Sequence, residues 1–251
     1  MSTTARPLSR ALLAAAFLGL AACADSTTGS DAVLDDAVVA ADLAAAEGGA
    51  IALDLADLPA PGTATTGTTT SGTTTVTRTV AFLDAGGATM GAYDASLTAA
   101  IRHTLQVDGT RSGTGPQGGT FASAIHRTHT RTLSGLAGAE TQHTWNGFGT
   151  AADTTTHTGA RNTRVYRKAV LDTASNVVIA LPRASNPYPL SGSMVHRVNA
   201  TVTVTGARSE SRTVERRVAV TFNGTAAVPI TVGSVSCTLH LDTRVVDGCS
   251  R

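Results

Sequence analysis

Histidines are the first residues of this chain whose type and spacing could support chemistry. His126 and His129 lie three residues apart in a predicted strand, and imidazoles are common ligands of Zn²⁺. Strand residues separated by an odd number point to opposite faces, so these two cannot share a metal without a bulge. His126, His143 and His157 could meet only by cross-strand pairing. His143 shares a face with Trp145 but has no neighbouring third ligand. We therefore predict neither a metal site nor a cofactor.

Hydrolytic motifs are absent from the sequence. It contains no Gly-x-Ser-x-Gly, Ser-x-x-Lys or His-Glu-x-x-His pattern. Four aspartates, Asp153, Asp172, Asp242 and Asp247, are expected near turns, where Asp commonly caps the backbone. A hydrolase of envelope polymers would need convergent carboxylates or a catalytic triad, so we predict that the protein is not an enzyme.

A cluster of arginines is the remaining charged candidate. Arg208, Arg212 and Arg216 can share one face of a strand and its neighbours, where they would form an anion-binding stripe. The alternative is a solvated strand face whose charges prevent edge aggregation. We do not expect nucleic acid as a partner, because no aromatic side chains line the stripe for bases to stack on.

The N-terminal segment has the pattern of an export signal. Arg6 and Arg10 are followed by an apolar run, 11–22, that is too short to span a bilayer. Residues 20–23, Leu-Ala-Ala-Cys, resemble the lipobox of bacterial lipoproteins. The resemblance implies cleavage before Cys23, lipid on its sulfur and attachment to a membrane. Ala24 directly after the cysteine implies sorting to the outer membrane of the cell envelope.

Two further cysteines lie near the end of the sequence. If Cys23 carries lipid, Cys237 and Cys249 remain, and an even remainder in an exported chain predicts one disulfide. The alternative is two free thiols or a metal pair, for which no His or Cys lies nearby at ligand spacing.

Charge is distributed unevenly along the chain. Residues 24–76 contain eight acidic residues and no Lys or Arg, whereas residues 77–251 contain 10 acidic and 17 basic residues. The basic part could be attracted to anionic lipid headgroups or acidic glycans. The alternative is a genome of high GC content, which favours Arg over Lys; Lys168 is the only lysine.

Composition divides the chain into four segments. We predict a lipoprotein signal peptide at 1–22, an acidic Ala-rich stem at 23–57, a flexible Thr/Pro/Gly tether at 58–75 and a β-domain at 76–251. The stem is expected to contain a short helix with Ser30 as its N-cap and Gly48-Gly49 at its end. Its apolar residues at roughly helical spacing are Val33, Leu34, Val38, Ala41 and Ala45.

From residue 76 onward, the apolar residues alternate with polar ones, as in half-buried β-strands. Asp84–Gly87, Asp108-Gly109 and Asn223-Gly224 are predicted turns, and 186–189, with two prolines, is a predicted loop. Strands at 121–133 and 141–157 are expected to be partly wet on both faces. Other alternating strands are predicted at 101–107, 166–171, 177–181, 198–204, 218–222, 228–232 and 235–241. The fold class is therefore all-β, an antiparallel meander of about eight to ten strands forming a curved open sheet or a barrel.

Function is not specified by any motif in the body. The lipobox resemblance and the β-domain together predict a lipid-anchored envelope protein with a structural or adhesive surface. Its expected partners are the membrane and an envelope glycan or protein. The alternative is a periplasmic carrier that encloses a lipid or other apolar ligand in a curved sheet, although the small number of aromatic residues argues against it.

Overall fold

The computed structural model describes residues 36–56, 64–114, 120–137, 140–159, 162–206 and 209–250. In these residues one helix, α1 (Asp36–Ala56), precedes a sheet of 12 strands. The strands are β1 (Gly67–Ser71), β2 (Thr74–Leu83), β3 (Thr89–Met90), β4 (Ala100–Thr114), β5 (Thr120–Ser134), β6 (Gln142–Thr158), β7 (Thr163–Ala180), β8 (Ser191–Thr205), β9 (Glu210–Thr221), β10 (Ala227–Val232), β11 (Val235–His240) and β12 (Val245–Ser250).

Every strand pairs antiparallel with its neighbours in a single meander. The order is β1-β2-β4-β5-β6-β7-β8-β9-β10-β11-β12, with β3 paired to β2 beside this path. Within the described residues no pairing joins β1 to β12, so the sheet is open rather than closed. The prediction of an all-β antiparallel meander is confirmed, with more strands than expected.

Two of the predicted turns are present. The main-chain N–H of Gly87 donates to the Asp84 carbonyl at 3.0 Å between β2 and β3. Gly224, in the turn between β9 and β10, has a φ of 82°, a conformation that favours glycine. The turn predicted at Asp108-Gly109 is wrong: both residues lie within β4. A Cβ on Gly109 would come within 2.9 Å of the Thr74 Cα, so this glycine allows close approach of β2.

The central strands are longer and more buried than their composition suggests. β7 is one continuous 18-residue strand, not the two predicted strands joined by a turn. Its register with β8 shifts between Ser175 and Val178, and this irregularity absorbs the polar segment. In the part of β5 and β6 that contains Leu133 and Trp145 one face is buried, so the expectation that both faces are partly wet is wrong there.

Helix α1 is part of the hydrophobic core. Leu43, Ile51 and Leu55 are buried together with valines of β8 and β9. The helix continues through Gly48-Gly49, where its end was predicted. A Cβ on Gly48 would lie 2.8 Å from Val246 Cγ2 and 3.1 Å from Ile230 Cδ1, which explains why a residue without a side chain occupies this position.

The sheet curves around this helix. Glu47 contacts β7 and β8, whereas the next residue, Gly48, lies against β10, β11 and β12. Five strand spacings of about 4.8 Å separate β7 from β12, whereas a helix is only about 10 Å across. The sheet must therefore bend, and we call its inner face between β5 and β12 the groove.

Secondary structure extends into the segment that was predicted as a tether. The stem helix packs inside the β-domain, and residues 67–75, predicted as tether, include β1 and the start of β2. The predicted signal peptide, Cys23 and Ser30 lie outside the described residues. In the described part of the chain, no helix has both the length and the hydropathy needed to cross a membrane.

Candidate functional site

A buried carboxylate of α1 meets two basic groups of the sheet. Glu47 is 1% exposed, and its Oε1 accepts a hydrogen bond from Lys168 Nζ of β7 at 2.7 Å. Its other oxygen lies 2.9 Å from His196 Nδ1 of β8. Both carboxylate oxygens are thus used inside the groove, as burial of a charged group requires.

The charge pairs continue from Lys168 across the sheet. Asp153 of β6 lies directly opposite Lys168, with 3.8 Å between the carboxylate and the ammonium group. Arg127 of β5 donates to the same Asp153 oxygen at 2.6 Å. Glu47, Lys168, Asp153 and Arg127 therefore form a row of alternating charges that spans β5, β6 and β7 beneath α1.

A second cluster lies beneath the C-terminal part of α1. Asp172 of β7 accepts from Arg131 of β5 at 2.5 Å and lies 3.0 Å from His129 Nδ1. Asp54 of α1 lies 3.5 Å from Arg131 and 3.7 Å from His129. His129, Arg131 and Asp172 are all buried.

Glycine makes the second cluster possible. His129, Gly149 and Asp172 lie in register on β5, β6 and β7, so two side chains reach each other across the middle strand. A Cβ on Gly149 would collide with Asp172 Oδ2 and lie 2.7 Å from His129 Nδ1. The missing side chain therefore opens a gap in the inner face through which the imidazole and the carboxylate meet.

The charged neighbours keep both carboxylates ionised despite burial. Burial opposes ionisation of Glu47, but Lys168, His196 and Arg127 together hold its pKa well below the usual range. Burial also opposes ionisation of Asp172, but a hydrogen bond from His129 and the charge of Arg131 lower its pKa to about 2. Both groups are therefore carboxylates at neutral pH.

The predicted arginine stripe binds the chain's own helix. Arg212 and Arg216 of β9 share one face, and their guanidinium groups lie 2.5 and 3.2 Å from Asp36 Oδ1 of α1. Arg208 lies outside the described residues. Tyr166 of β7 donates to Asp42 of α1 at 2.9 Å. All four acidic residues of α1 thus face a donor or cation of the sheet.

Little free space remains between α1 and the sheet. A cavity of about 30 Å³, enough for about two water molecules, is lined by Asp54, His129, Arg131 and Trp145 among others. The groove is thus filled by the helix, and a larger ligand fits there only if α1 moves.

The predicted histidine positions are separated by the fold. His126 is exposed and contacts Asp108, whereas His129 is buried, so the expectation of opposite faces is confirmed. His126 lies opposite Ala152, and His143 lies opposite Ile179 at the other end of β6. The side chain of His157 lies outside the described part. Among the described residues, no group of three or more His, Cys, Asp or Glu is placed to hold a metal ion.

The predicted disulfide between Cys237 and Cys249 is present. It joins β11 to β12, the last strand of the sheet, at the irregularity in their pairing between Ser236 and Thr238. The bridge therefore secures the strand whose Val246 packs against α1.

Sequence reasoning missed the two charge clusters. Asp153 and Asp172 were predicted near turns, but both lie inside strands and are buried. Two signals point to the site: His196 interrupts an apolar face of β8, and Glu47 lies on the apolar stripe of α1. That stripe comprises Leu43, Ala44, Glu47, Ile51 and Leu55.

The outer face of the sheet has a different character. Phe148 of β6 and Leu171 of β7 are 66% and 59% exposed, so two large apolar side chains face solvent here. Phe148 pairs with Thr173 and Leu171 pairs with Thr150, so the two are diagonal neighbours on the same face. We call these two residues and their neighbours Thr130, Thr150, Thr173 and Arg197 the outer patch.

Comparisons with known proteins returned no match: no protein family, curated protein or solved structure matches this chain.

Proposed function

We propose that this protein is a non-enzymatic, lipid-anchored protein of the cell envelope that binds an envelope glycan or protein through its outer patch. The observation that carries the proposal is the exposure of Phe148 and Leu171 side by side on the outer face. Contiguous apolar surface rimmed by polar residues is typical of interaction sites, and these two side chains are neighbours. Hydroxyl groups of threonines and the Arg197 guanidinium supply the polar rim.

The filled groove supports a role for the outer face. With α1 in place, the cavity beside Asp54 and Trp145 is large enough only for about two water molecules, so binding of a lipid at this point requires the helix to move. The outer face needs no such rearrangement, because its side chains are already accessible.

The placement of the ionisable groups supports a binding protein rather than an enzyme. Among the described residues, His129 with Asp172 is one buried histidine–carboxylate pair, and both side chains lie beneath α1. A catalytic histidine must reach its substrate, whereas here Asp54 of the helix covers the pair.

Binding to envelope material tests this proposal. We expect the purified protein to co-sediment with peptidoglycan or outer-membrane vesicles, and Phe148→Ser with Leu171→Thr to abolish co-sedimentation. Leu97→Ser is the matched control, because Leu97 is 60% exposed but lies outside the outer patch. The proposal would be overturned if the double variant and Leu97→Ser bound equally well, or if the protein cleaved the envelope polymer.

The proposed anchor has a separate test. We expect labelled palmitate to be incorporated into the wild-type chain and the protein to fractionate with the outer membrane. Cys23→Ser removes the proposed lipid-bearing sulfur and should abolish both. Labelling that persists in the Cys23→Ser variant would contradict lipidation at this residue.

A further inference from the structure

Helix α1 and the groove are complementary in charge. The helix contributes four carboxylates, from Asp36, Asp42, Glu47 and Asp54, and no basic residue. The inner face of β5, β7 and β9 contributes the cations that face them. These are Arg127, Arg131, Lys168, Arg212 and Arg216, with His129 and His196 beside them.

Filling the groove with apolar side chains would not require the carboxylates of α1. Buried ion pairs contribute little net stability compared with well-packed apolar residues of similar volume. Glu47 lies on the buried stripe between Leu43 and Ile51, where an apolar side chain would fill the groove. The groove therefore has the chemistry of a binding site for a ligand that is both apolar and anionic. In this structure that site is occupied by α1, which carries both apolar side chains and carboxylates.

The helix is held in place by docking more than by its own propensity. Gly48 and Gly49 lie in its middle, and each costs about 1 kcal/mol relative to alanine. In proteins most of the stability of a helix comes from packing of its apolar face, which for α1 is the face buried in the groove. Ten residues separate Ala56 from Gly67, and ten residues reach up to about 35 Å, so the connection is long enough for α1 to leave the groove.

We propose that the groove is a binding site for long-chain carboxylates, such as fatty acids, and that α1 is an intramolecular competitor for it. The ligand's carboxylate takes the place of Glu47 against Lys168 and His196, and its acyl chain lies where Leu43 and Ile51 pack. The proposed site is separate from the outer patch and does not depend on it.

The Glu47–Lys168 ion pair tests the competition between α1 and the ligand, because substitutions of its two members should change ligand affinity in opposite directions. Dodecanoate is the probe, and the fluorescence of Trp145, the only tryptophan, reports on the groove beside Leu55. Glu47→Gln weakens the competitor, so we expect binding about tenfold tighter, because a larger fraction of the groove is open. Lys168→Gln weakens the site itself, and we expect binding about tenfold weaker. If the pair were purely structural, both substitutions would change the affinity for dodecanoate in the same direction, and that result would overturn the proposal.

A helix locked in the groove provides the second test. Gly48→Cys with Val246→Cys places two sulfurs within reach of a disulfide, because a Cβ at position 48 lies 2.8 Å from Val246 Cγ2. We expect the oxidised form not to bind dodecanoate and the reduced form to bind it, with the wild type under the same reductant as control. Dodecyl maltoside, which has the same alkyl chain and an uncharged head, should not bind. Binding to the locked form, equal binding of both amphiphiles, or no binding by the wild type would overturn the proposal.

Discussion

Glu47 and Lys168 are 121 residues apart in the sequence, yet their side chains meet at 2.7 Å beneath helix α1. The contact joins the acidic N-terminal part of the chain to its basic sheet. It therefore gives part of the uneven charge distribution a structural reason: carboxylates of residues 36–56 neutralise cations of the groove.

Breaking this pair from either side is expected to destabilise the protein. Lys168→Met leaves Glu47 buried with His196 as its remaining partner, and Glu47→Leu leaves Lys168 3.8 Å from Asp153. We expect each variant to lose about 3 kcal/mol of unfolding free energy, because a buried charge loses the partner that lies closest to it. The double variant should recover part of this loss. Urea unfolding followed by Trp145 fluorescence measures all three, and a double variant that loses the sum of both would contradict the pairing.

Low pH is expected to weaken the second charge cluster, formed by His129, Arg131 and Asp172, over a defined pH range. The pKa of Asp172 is lowered from 3.8 to about 2 in the folded state. Its contribution to stability is therefore complete above the unfolded pKa and is lost as the pH falls from about 4 through about 2. We expect Asp172→Asn to lower the unfolding free energy by about 2 kcal/mol near neutral pH, with the difference narrowing towards pH 2.

The control for this acid dependence is Asp108→Asn, which changes an exposed carboxylate beside His126. Acid titration of unfolding should separate the two variants. If the difference between the wild type and Asp172→Asn stays constant from neutral pH to pH 2, the assigned role of Asp172 is wrong.

Filling the gap at Gly149 should disrupt the His129–Asp172 contact. Gly149→Ala places a Cβ 2.6 Å from the Thr128 carbonyl oxygen and 2.7 Å from His129 Nδ1. We expect a loss of about 3 kcal/mol from overpacking and from the broken hydrogen bond. Gly91→Ala is the control, since no atom lies within 4 Å of its added Cβ, and it should change stability by less than about 0.5 kcal/mol. Thermal unfolding of both variants checks this, and equal stabilities would contradict the tight packing at Gly149.

The two adjacent glycines of α1 should respond in opposite directions. Gly49→Ala meets nothing within 4 Å, so improved helix propensity is expected to stabilise the protein by about 0.5–1 kcal/mol. Gly48→Ala meets Val246 at 2.8 Å, and overpacking of about 1–3 kcal/mol should outweigh the same gain. The measurement is the shift in denaturation midpoint, and stabilisation by Gly48→Ala would contradict docking of the helix against β12.

The spacing of apolar residues was sufficient to predict the sheet but not the position of α1 against it. Alternation in β8 to β11 predicted the strands and the Asn223-Gly224 hairpin, because one face of these strands is apolar and the other polar. In β5 to β7 the buried face carries His129, Asp153 and Lys168, so polarity no longer distinguishes inside from outside. Whether Glu47 reaches Lys168 is decided by tertiary packing between distant segments, which no local pattern encodes.

Glycine-containing turn motifs likewise predicted the structure only where the local backbone conformation is what requires the glycine. Gly224 satisfies a local turn with positive φ, whereas Gly109 and Gly149 are required by neighbouring strands. All three glycines look alike in sequence. The predicted turn at Asp108-Gly109 was wrong because the local pattern does not reveal the approach of Thr74.

Site-directed cross-linking of α1 to β12 tests most directly whether the helix occupies the groove. In the chain carrying Gly48→Cys and Val246→Cys, we expect mass spectrometry of unreduced peptides to find positions 48 and 246 joined. The matched chain with Gly49→Cys and Val246→Cys should remain unlinked, because position 49 has no neighbour within 4 Å. Equal cross-linking from both positions, or none from position 48 in the folded protein, would contradict the docking of α1 in the sheet.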